Sequence, residues 1–207
     1  IIKKKNIIQV KNINKDIKTL APYKLVKTMR AGVLVLGPLL AKYKKAKISL
    51  PGGCAIGSRP VNLHLFALKK LGAKIKIKDG YIVAEAKNGL RGTNINFPII
   101  SVGATENALL AAFNANGKTV LKNCAIEPEV IDLIKFLNIL GGKIRIIGRK
   151  ILVNGCEKIK KDIKHKVIFD RIKIRTYMIA AAQHGKKIVF QNINSKIIRN
   201  DIEILKK

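Results

Sequence analysis

The chain has no tryptophan, and aromatic residues make up 5% of its 207 positions. Stacking platforms for single-stranded nucleic acids are built from aromatic side chains, so this sequence supplies them poorly. Acidic residues are also scarce, with 12 Asp and Glu against 42 Lys and Arg and a formal net charge of +30. Such a charge by itself would suggest a nucleic acid or an anionic membrane as partner. The lysines are spread through every predicted element, however, so we attribute the charge to codon bias and expect no specific nucleic-acid partner, only weak nonspecific binding at low salt.

Cysteines are few and long apolar runs are missing. The 3 cysteines form no close pair, which excludes a disulfide framework and a zinc pattern and favours a reducing compartment. No apolar run reaches the roughly 18 residues of a membrane span, and no leader pattern opens the sequence. We therefore expect a cytoplasmic monomer without membrane insertion, metal or cofactor. Because the first residue is Ile1, we also expect an incomplete product.

An internal repeat organises the rest of the chain, whose hydrophobic fraction of 48% suits a folded core. The strand-like residues 46–50 are followed by a loop, a helix and the run 71–75, Leu-Gly-Ala-Lys-Ile. The same order returns at 117–121 and 140–144, and it begins again at 185–189. A period of roughly 70 residues is typical of a duplicated α+β subdomain. Each copy predicts helix, strand, loop, helix and two strands joined by a turn such as Asp79-Gly80.

A glycine-rich loop carries the most informative cysteine. Residues 49–60 read Ser-Leu-Pro-Gly-Gly-Cys-Ala-Ile-Gly-Ser-Arg-Pro, between a predicted strand at 46–50 and a helical pattern over 61–71. A thiol acts as an acid or a nucleophile only where a positive, partly exposed setting lowers its pKa. Arg59 and the backbone N–H groups around Cys54 could supply that field. From the residues alone, an inert buried thiol remains an equal alternative.

The loop resembles the active-site loop of the UDP-N-acetylglucosamine enolpyruvyl transferases, the 1-carboxyvinyltransferases that open peptidoglycan synthesis. Matching segments follow in the same order over nearly the whole chain: 21–31, 37–39, 101–105, 127–129 and 170–172. The resemblance implies a two-domain α/β (α+β) fold, an inside-out barrel of repeated βαβαββ units with helices in the middle and sheets outside. Residues 1–168 would form the cysteine-loop catalytic domain without its first strand, and residues 169–207 the start of the second domain.

The resemblance also implies an activity and a site. The activity is transfer of enolpyruvyl from phosphoenolpyruvate to the 3-hydroxyl of UDP-N-acetylglucosamine, with release of phosphate. Cys54 would give a proton to the methylene carbon of phosphoenolpyruvate and would be the target of fosfomycin, while Arg59 and Arg30 would hold anionic groups. Taken alone, each arginine could be a surface charge and Ser101 an ordinary helix cap. The resemblance assigns the uracil to Pro60, Val61, Asn62 and Leu63, and the diphosphate to Ser101, Val102 and Gly103.

Some positions depart from the family pattern. Asn62 stands where the family has aspartate, and Ile99 where it has lysine. Lys173 and Arg175 replace glutamate and glycine at the predicted domain junction. We expect this chain by itself to be inactive. Two alternatives stay open: the sister enzyme acting on shikimate 3-phosphate, which the cysteine loop disfavours, and a noncatalytic remnant that binds anions or RNA.

The remaining candidates have simpler interpretations. His64 is predicted to pack on a helix face, and His165 and His184 to lie on the surface. Cys124 and Cys156 are predicted to be structural. Glu127 and Glu129 flank Pro128 and are predicted to complement the dipole at a helix start, in the helix 129–140. The other predicted elements are a strand and loop over 1–20 and a helix from residue 22 that breaks at Gly37-Pro38 and resumes over 39–43.

Overall fold

The computed structural model describes residues 2–4 by their backbone and residues 7–10, 17–26, 29–50, 60–156, 158–185 and 187–206 in full. The cysteine loop at 51–59, with Cys54 and Arg59, lies outside the described residues. At the start of the chain, β1 (Ile2–Lys4) and β2 (Ile7–Gln9) pair as an antiparallel hairpin. Two units with the same order of strands and helices follow the hairpin.

The first unit forms a four-stranded sheet in the order β3-β4-β6-β5. The first pair of strands is parallel and the other two pairs are antiparallel. In the β5–β6 turn, Asp79 and Gly80 have φ of 51° and 73°, which is the left-handed backbone of the tight hairpin that this dipeptide predicts. Its elements are β3 (Leu20–Ala21), α1 (Tyr23–Val26), a 3-10 helix (Arg30–Val35), α2 (Leu36–Tyr43), β4 (Lys45–Ser49), α3 (Asn62–Lys70), β5 (Lys74–Lys78) and β6 (Tyr81–Glu85).

The second unit repeats this order. Its sheet runs β7-β8-β10-β9, again with one parallel pair followed by two antiparallel pairs. The repeated βαβαββ unit predicted from the sequence is therefore confirmed, with the strands in two open sheets. The elements are β7 (Asn94–Asn96), α4 (Val102–Ala112), β8 (Lys118–Lys122), α5 (Pro128–Ile139), β9 (Lys143–Ile147) and β10 (Lys150–Asn154).

Helix α4 lies at the centre of the two units. It packs against α2 and α3 from the first unit and against α5 from its own. Its alanines bury almost completely, which lets the neighbouring helices approach closely. The two sheets cover the helices from outside, and alternate side chains of their strands, such as Ile48, Ile82 and Ile151, are buried in the core. The fully buried core is built by Leu36, Leu40, Ile48, Leu68, Ile82, Ile95, Phe97, Leu109, Leu121 and Ile151.

The predicted break at Gly37-Pro38 is wrong. Helix α2 begins at Leu36 and runs through both residues to Tyr43. Pro38 is in the first turn, where the backbone N–H has no partner within the helix, so proline costs little there. Gly37 packs against α4 so closely that a Cβ atom would lie 2.5 Å from Oδ1 and 2.7 Å from the backbone O of Asn107. Gly37 and Pro38 therefore lie in the first turn of α2, and Gly37 is the point where α2 contacts α4.

The last part of the chain is packed more loosely. It contains α6 (Arg171–His184), a 3-10 helix (Ser195–Ile198) and α7 (Arg199–Leu205). The predicted third copy of the strand pattern is not found in the described residues 187–190, which form no strand. Helix α6 has no buried residue, and the division between residues 168 and 169 stays a prediction. Within the described ranges, no helix is long and apolar enough to cross a bilayer.

Candidate functional site

The first turns of neighbouring helices are in contact in two pairs, α3 with α4 and α5 with α6. His64 in the first turn of α3 faces Gly103 in the first turn of α4. Glu106, one turn further along α4, lies within electrostatic reach of Glu129 at the start of α5. Glu129 in turn binds Arg171, the first residue of α6. Helix N-termini present unpaired N–H groups and a partial positive charge, which favour anionic ligands, and the contact between α3 and α4 is the one of these two without a carboxylate in its first turns.

A buried hydrogen-bond network ties this region to the first unit. The Oδ1 atom of Asn107 accepts a hydrogen bond from the backbone N–H of Gly37 at 2.9 Å. Its Nδ2 donates to the backbone O of Val33 at 3.1 Å and lies 3.2 Å from Nδ1 of His64. Asn107 is fully buried and His64 is 5% exposed. The predicted packing of His64 is confirmed, and the network adds a fixed orientation for its ring.

Arg30 lies at the start of the 3-10 helix and is half-buried. Burial of the imidazole, and secondly the positive charge of Arg30, lower the pKa of His64 to about 4. The imidazole is therefore neutral at physiological pH. Arg30 thus lies within electrostatic reach of the first turn of α3, and its role toward an anionic group stays a prediction.

Ser101 caps helix α4. Its Oγ accepts a hydrogen bond from the N–H of Ala104 at 3.3 Å. The hydroxyl of Thr105 donates to the backbone O of Ser101 at 2.8 Å and accepts from the N–H of Ala125 at 3.1 Å. The interpretation of Ser101 as a helix cap is confirmed, and the role of Val102 and Gly103 toward a diphosphate stays a prediction.

The residues after the cysteine loop divide into a buried and an exposed set. Val61 is 8% exposed and belongs to the core, and Leu63 packs against it. Pro60 and Asn62 are exposed. Asn62 is the first residue of α3, so the structure places this departure from the family pattern at a helix N-terminus. Their assignment to the uracil stays a prediction.

A bidentate ion pair joins α5 to α6. Arg171 donates through Nε and Nη2 to the two carboxylate oxygens of Glu129, at 3.0 Å and 2.8 Å. The hydrogen bonds from Arg171 lower the pKa of Glu129, and the same bonds raise the pKa of Arg171. Burial first, and then the charge of Glu129, raise the pKa of Glu106. The predicted position of Glu127 and Glu129 at a helix start is confirmed, since Glu127 is the N-cap residue of α5, without a capping hydrogen bond from its side chain, and Glu129 lies in the first turn.

The prediction that His165 lies on the surface is wrong. Its Nε2 lies 3.2 Å from Oδ2 of Asp132, its ring packs on Phe136, and its side chain is 11% exposed. This pairing was hidden from the sequence because Asp132 is 33 positions away. His184 is exposed, as predicted.

The two described cysteines differ in their surroundings. Cys124 is buried, and burial raises the pKa of its thiol to about 12, which fits the predicted structural role. Cys156 is half-buried, and its Sγ lies 3.4 Å from the backbone O of Lys158. Within the described part of the chain, no three His, Cys, Asp or Glu side chains lie together as a metal site would need.

Ile99 and Asn107 show what sequence reasoning could and could not find. Ile99, where the family pattern has lysine, is 68% exposed just before the α4 cap. Asn107 was missed, although a fully buried amide within an alanine-rich helix needs hydrogen-bond partners. The polar run Thr105-Glu106-Asn107 inside an otherwise apolar segment was the available signal.

A family model matches the chain over residues 1–207, that of EPSP synthase (3-phosphoshikimate 1-carboxyvinyltransferase). A UDP-N-acetylglucosamine 1-carboxyvinyltransferase from Pelagibacter ubique is 54% identical over 205 residues, covering 99% of this chain and 48% of the relative. One of the same name from Endomicrobium trichonymphae is 49% identical over 191 residues, covering 92% and 46%. The chain thus spans about half the length of the curated relatives it matches.

Solved structures share the fold at low sequence identity. The enolpyruvyl transferase NikO from Streptomyces tendae superposes with a TM-score of 0.65 at 22% identity, over 77% of this chain and 38% of that one. An EPSP synthase from Acinetobacter baumannii gives a TM-score of 0.58 at 21% identity, over 73% and 34%. The two repeated units with central helices therefore have the enolpyruvyl transferase architecture.

Proposed function

Because the chain belongs to the EPSP synthase (3-phosphoshikimate 1-carboxyvinyltransferase) family, we propose that it is part of an enolpyruvyl transferase of peptidoglycan synthesis. Its donor substrate is phosphoenolpyruvate, its acceptor is the 3-hydroxyl of UDP-N-acetylglucosamine, and its products are the enolpyruvyl ether and phosphate. The observation that carries the proposal is the 54% identity, over 99% of the chain, with a relative named for this activity. The Cys54 loop supports the same choice.

The reaction is an addition followed by an elimination. In the addition, the 3-hydroxyl oxygen bonds to C2 of phosphoenolpyruvate and releases its proton to solvent, while the Cys54 thiol gives its proton to the C3 methylene and becomes a thiolate. In the elimination, C3 returns a proton to the Cys54 thiolate, the C2–C3 double bond forms again, and the C2–O bond to phosphate breaks, so that phosphate leaves with the bonding electrons. Stabilising a tetrahedral intermediate that carries phosphate and carboxylate requires fixed positive charge, which we assign to Arg59 and Arg30.

The acceptor sits where the first turns of α3 and α4 meet. We assign the uracil to Pro60, Val61, Asn62 and Leu63, and the diphosphate to the α4 N-terminus at Ser101, Val102 and Gly103. Backbone N–H groups at the N-terminus of an eleven-residue helix suit a diphosphate, since donors and dipole both favour negative charge. We place the protein in the cytoplasm, where both substrates are made, and propose that it acts as a monomer.

Turnover by a chimera tests this proposal. In the chimera, this chain replaces the matching part of the Pelagibacter ubique relative, and phosphate release is followed with both substrates present. We expect turnover that Cys54→Ala abolishes and that the matched change Cys156→Ala leaves intact. Phosphate release that persists in the Cys54→Ala chimera would contradict the role of the thiol.

Acceptor choice and covalent labelling separate the alternatives. UDP-N-acetylglucosamine should support turnover, and shikimate 3-phosphate should not. Fosfomycin should add once to the chimera, and peptide mass spectrometry should find the adduct at Cys54 and neither at Cys124 nor at Cys156. A chimera that releases no phosphate, takes no adduct and binds RNA with a steep salt dependence would support the noncatalytic remnant instead.

A further inference from the structure

The outward face of the second sheet is basic and has no carboxylate. Strands β7 to β10 contain no Asp or Glu. In the part of the chain that the structure describes, none of the outward cations of this sheet belongs to an ion pair. Like charges on one sheet face repel each other, so an anion bound there would relieve the repulsion. These cations are Lys118, Lys122, Lys143 and Arg145, which are exposed, and Lys150, which is half-buried.

The two repeated units differ at the centre of equivalent rows of side chains. In the second sheet, the register places Lys118 and Lys143 on either side of Asn154. The corresponding row of the first sheet also has a lysine on each side, but its central residue is Glu85. The amide of Asn154 donates and accepts hydrogen bonds without charge. The second unit therefore lacks the carboxylate that partly neutralises this row in the first unit.

A shallow groove of about 420 Å³ lies along this row. Its lining includes Lys118, Lys143, Arg145 and Asn154. Lys118 and Lys143 are two strands apart, about 10 Å between backbones, and Lys143 and Arg145 are about 7 Å apart along β9. Lysine and arginine side chains are long enough to close these distances, so all three cations can reach one small ligand placed over Asn154.

A second groove, of about 370 Å³, adjoins the first and shares Lys118 and Asn154 with it. It adds the side chains of Asn114 and Asn116. Among the described residues that line the two grooves, none is acidic. The amides can donate hydrogen bonds to phosphate oxygens, and the cations supply the charge.

The backbone that carries two of the cations is held from α5. The Nδ2 atom of Asn138 donates to the backbone O of Ile144 at 3.0 Å, and its Oδ1 accepts from the N–H of Ile144 at 2.9 Å. Ile144 lies between Lys143 and Arg145 in β9. The start of this edge strand is therefore fixed by two hydrogen bonds in addition to its pairing with β10.

The groove lies away from the proposed acceptor site. Its residues follow α4, as Lys118 does, or come from the C-terminal end of α5, as Asn138 does. The diphosphate was assigned instead to the N-terminus of α4, an eleven-residue helix about 16 Å long. An anion in the groove would therefore occupy a second site.

We propose that the outward face of the second sheet binds a small soluble ligand with two or three linked phosphate groups, which Lys118, Lys143 and Arg145 hold over Asn154. Charge complementarity selects the ligand, since cations and amides line the groove without a carboxylate. A compact ligand is favoured over a membrane because the cations line a groove. It is favoured over single-stranded RNA because β7 to β10 carry no aromatic side chain for stacking. The site does not depend on enolpyruvyl transfer.

Nitrogen–proton correlation spectra of the isotope-labelled 207-residue chain, titrated with tripolyphosphate at about 0.15 M salt, test the location. We expect saturable shifts of the backbone amide signals of Lys118, Lys143 and Asn154. Inorganic phosphate should bind there more weakly, because it reaches fewer of the cations. Shifts at Gly103 report the proposed acceptor site and are fitted separately. If the amide signals of the second sheet show no saturable shift, the proposal is wrong.

Paired variants separate this face from the overall charge of the chain. Lys143→Gln with Arg145→Gln should weaken tripolyphosphate binding, measured at the second-sheet amides, about tenfold or more, the usual effect of losing hydrogen bonds between charged groups. The matched control, Lys74→Gln with Lys76→Gln, removes the same charge from the equivalent positions of the first sheet and should leave this binding unchanged. Asn154→Glu, which gives the row the central carboxylate of the first sheet, should also weaken binding. If both double variants weaken it equally, net charge alone attracts the anion and the proposal fails.

Two other anions are tested on the same variants: vesicles of equal parts phosphatidylcholine and phosphatidylglycerol, and polyuridylate RNA. If either binds through Lys143 and Arg145 while tripolyphosphate does not, the face serves a membrane or RNA and the proposal is wrong. If tripolyphosphate binds the groove but the chimera does not turn over, the groove stands and the enolpyruvyl transfer does not. If the chimera turns over and tripolyphosphate does not bind the groove, the transfer stands and this proposal does not.

Discussion

The folded and unfolded chains bind protons differently at His64. In the folded chain, burial and then the charge of Arg30 lower the pKa of this imidazole to about 4, against about 6.5 in an unfolded chain. Between these two pH values the unfolded state binds more protons than the folded state. The free energy of unfolding therefore falls as the pH is lowered through this range, and the neutral ring is fully compatible with the fold above it.

His64→Gln should remove this pH-dependent loss. Lowering the pH from about 7.5 to about 4.5 should cost wild type about 2–3 kcal/mol more than the variant, because glutamine binds no proton in either state. Urea unfolding of both chains at the two pH values measures the difference. His184→Gln is the control, since this imidazole is exposed, and it should follow wild type. If wild type and His64→Gln lose the same free energy of unfolding between the two pH values, the pKa of His64 is not lowered in the folded chain.

Single residues were predicted from the sequence where the motif was local. The Ser101 cap and the helix-facing His64 follow from a few neighbouring positions. The partners of Asn107 and His165 lie 33 to 74 positions away. No periodicity relates positions so distant, because the approach of α4 to α2, and of the segment before α6 to α5, exists only in the folded molecule.

At the scale of elements, the contact between α2 and α4 depends on the missing side chain at Gly37. Helix propensity alone would let Gly37→Ala raise the free energy of unfolding by up to about 1 kcal/mol. The added Cβ would lie 2.5 Å and 2.7 Å from two oxygens of Asn107, and overpacking of this kind costs about 1–3 kcal/mol. We therefore expect Gly37→Ala to lower the melting temperature, measured by thermal unfolding. A more stable variant would show that the helices are not in close contact.

The pair between Glu129 and Arg171 links α5 to α6. We expect Arg171→Gln to speed amide hydrogen exchange in α6 and to leave α4 unchanged, because α6 has no buried residue to hold it. The loss of stability should be about 1 kcal/mol, since both side chains are partly exposed.

Arg199→Gln is the matched control for Arg171→Gln. Arg199 pairs with Glu203 within the exposed helix α7, at 2.9 Å, so its removal should not change exchange in α6. If both variants speed exchange in α6 equally, the pair between Glu129 and Arg171 does not anchor the helix.

Elements were predicted well where two signals agreed. Strand β4 and the helices α3 and α5 follow from alternation and helical periodicity together. The predicted helix break at Gly37-Pro38 was wrong because the same dipeptide can end a helix or can lie in the first turn of one. Residues 187–190 resemble the earlier strands in sequence but form no strand in the structure, and local pattern alone does not provide a pairing partner.

At the scale of the whole molecule, part of the excess positive charge lies in rows on the exposed face of the first sheet. In the first sheet, the register places Lys45 and Lys74 on either side of Glu85, and Lys47 and Lys76 on either side of Val83. Glu85 is the only acidic residue of β4, β5 and β6. The sequence predicted both the repeated units and the wide distribution of the lysines. The alignment of the lysines into rows across neighbouring strands could be seen only from the strand register.

These rows of like charge should make stability depend on salt. Raising the ionic strength from about 0.02 M to about 0.5 M shortens the Debye length to less than the spacing between strand neighbours and should raise the melting temperature of wild type. Lys76→Glu places a carboxylate between Lys74 and Lys78 and across Val83 from Lys47. Lys76→Glu should raise the free energy of unfolding by about 0.5–1 kcal/mol at low salt, as opposite charges do on one sheet face. Lys76→Gln, which only removes the charge, should raise it by about half as much. Both increases should be smaller at high salt. A gain from Lys76→Glu that is the same at both salt concentrations would mean that packing or strand propensity, and not repulsion among the lysines, sets its sign.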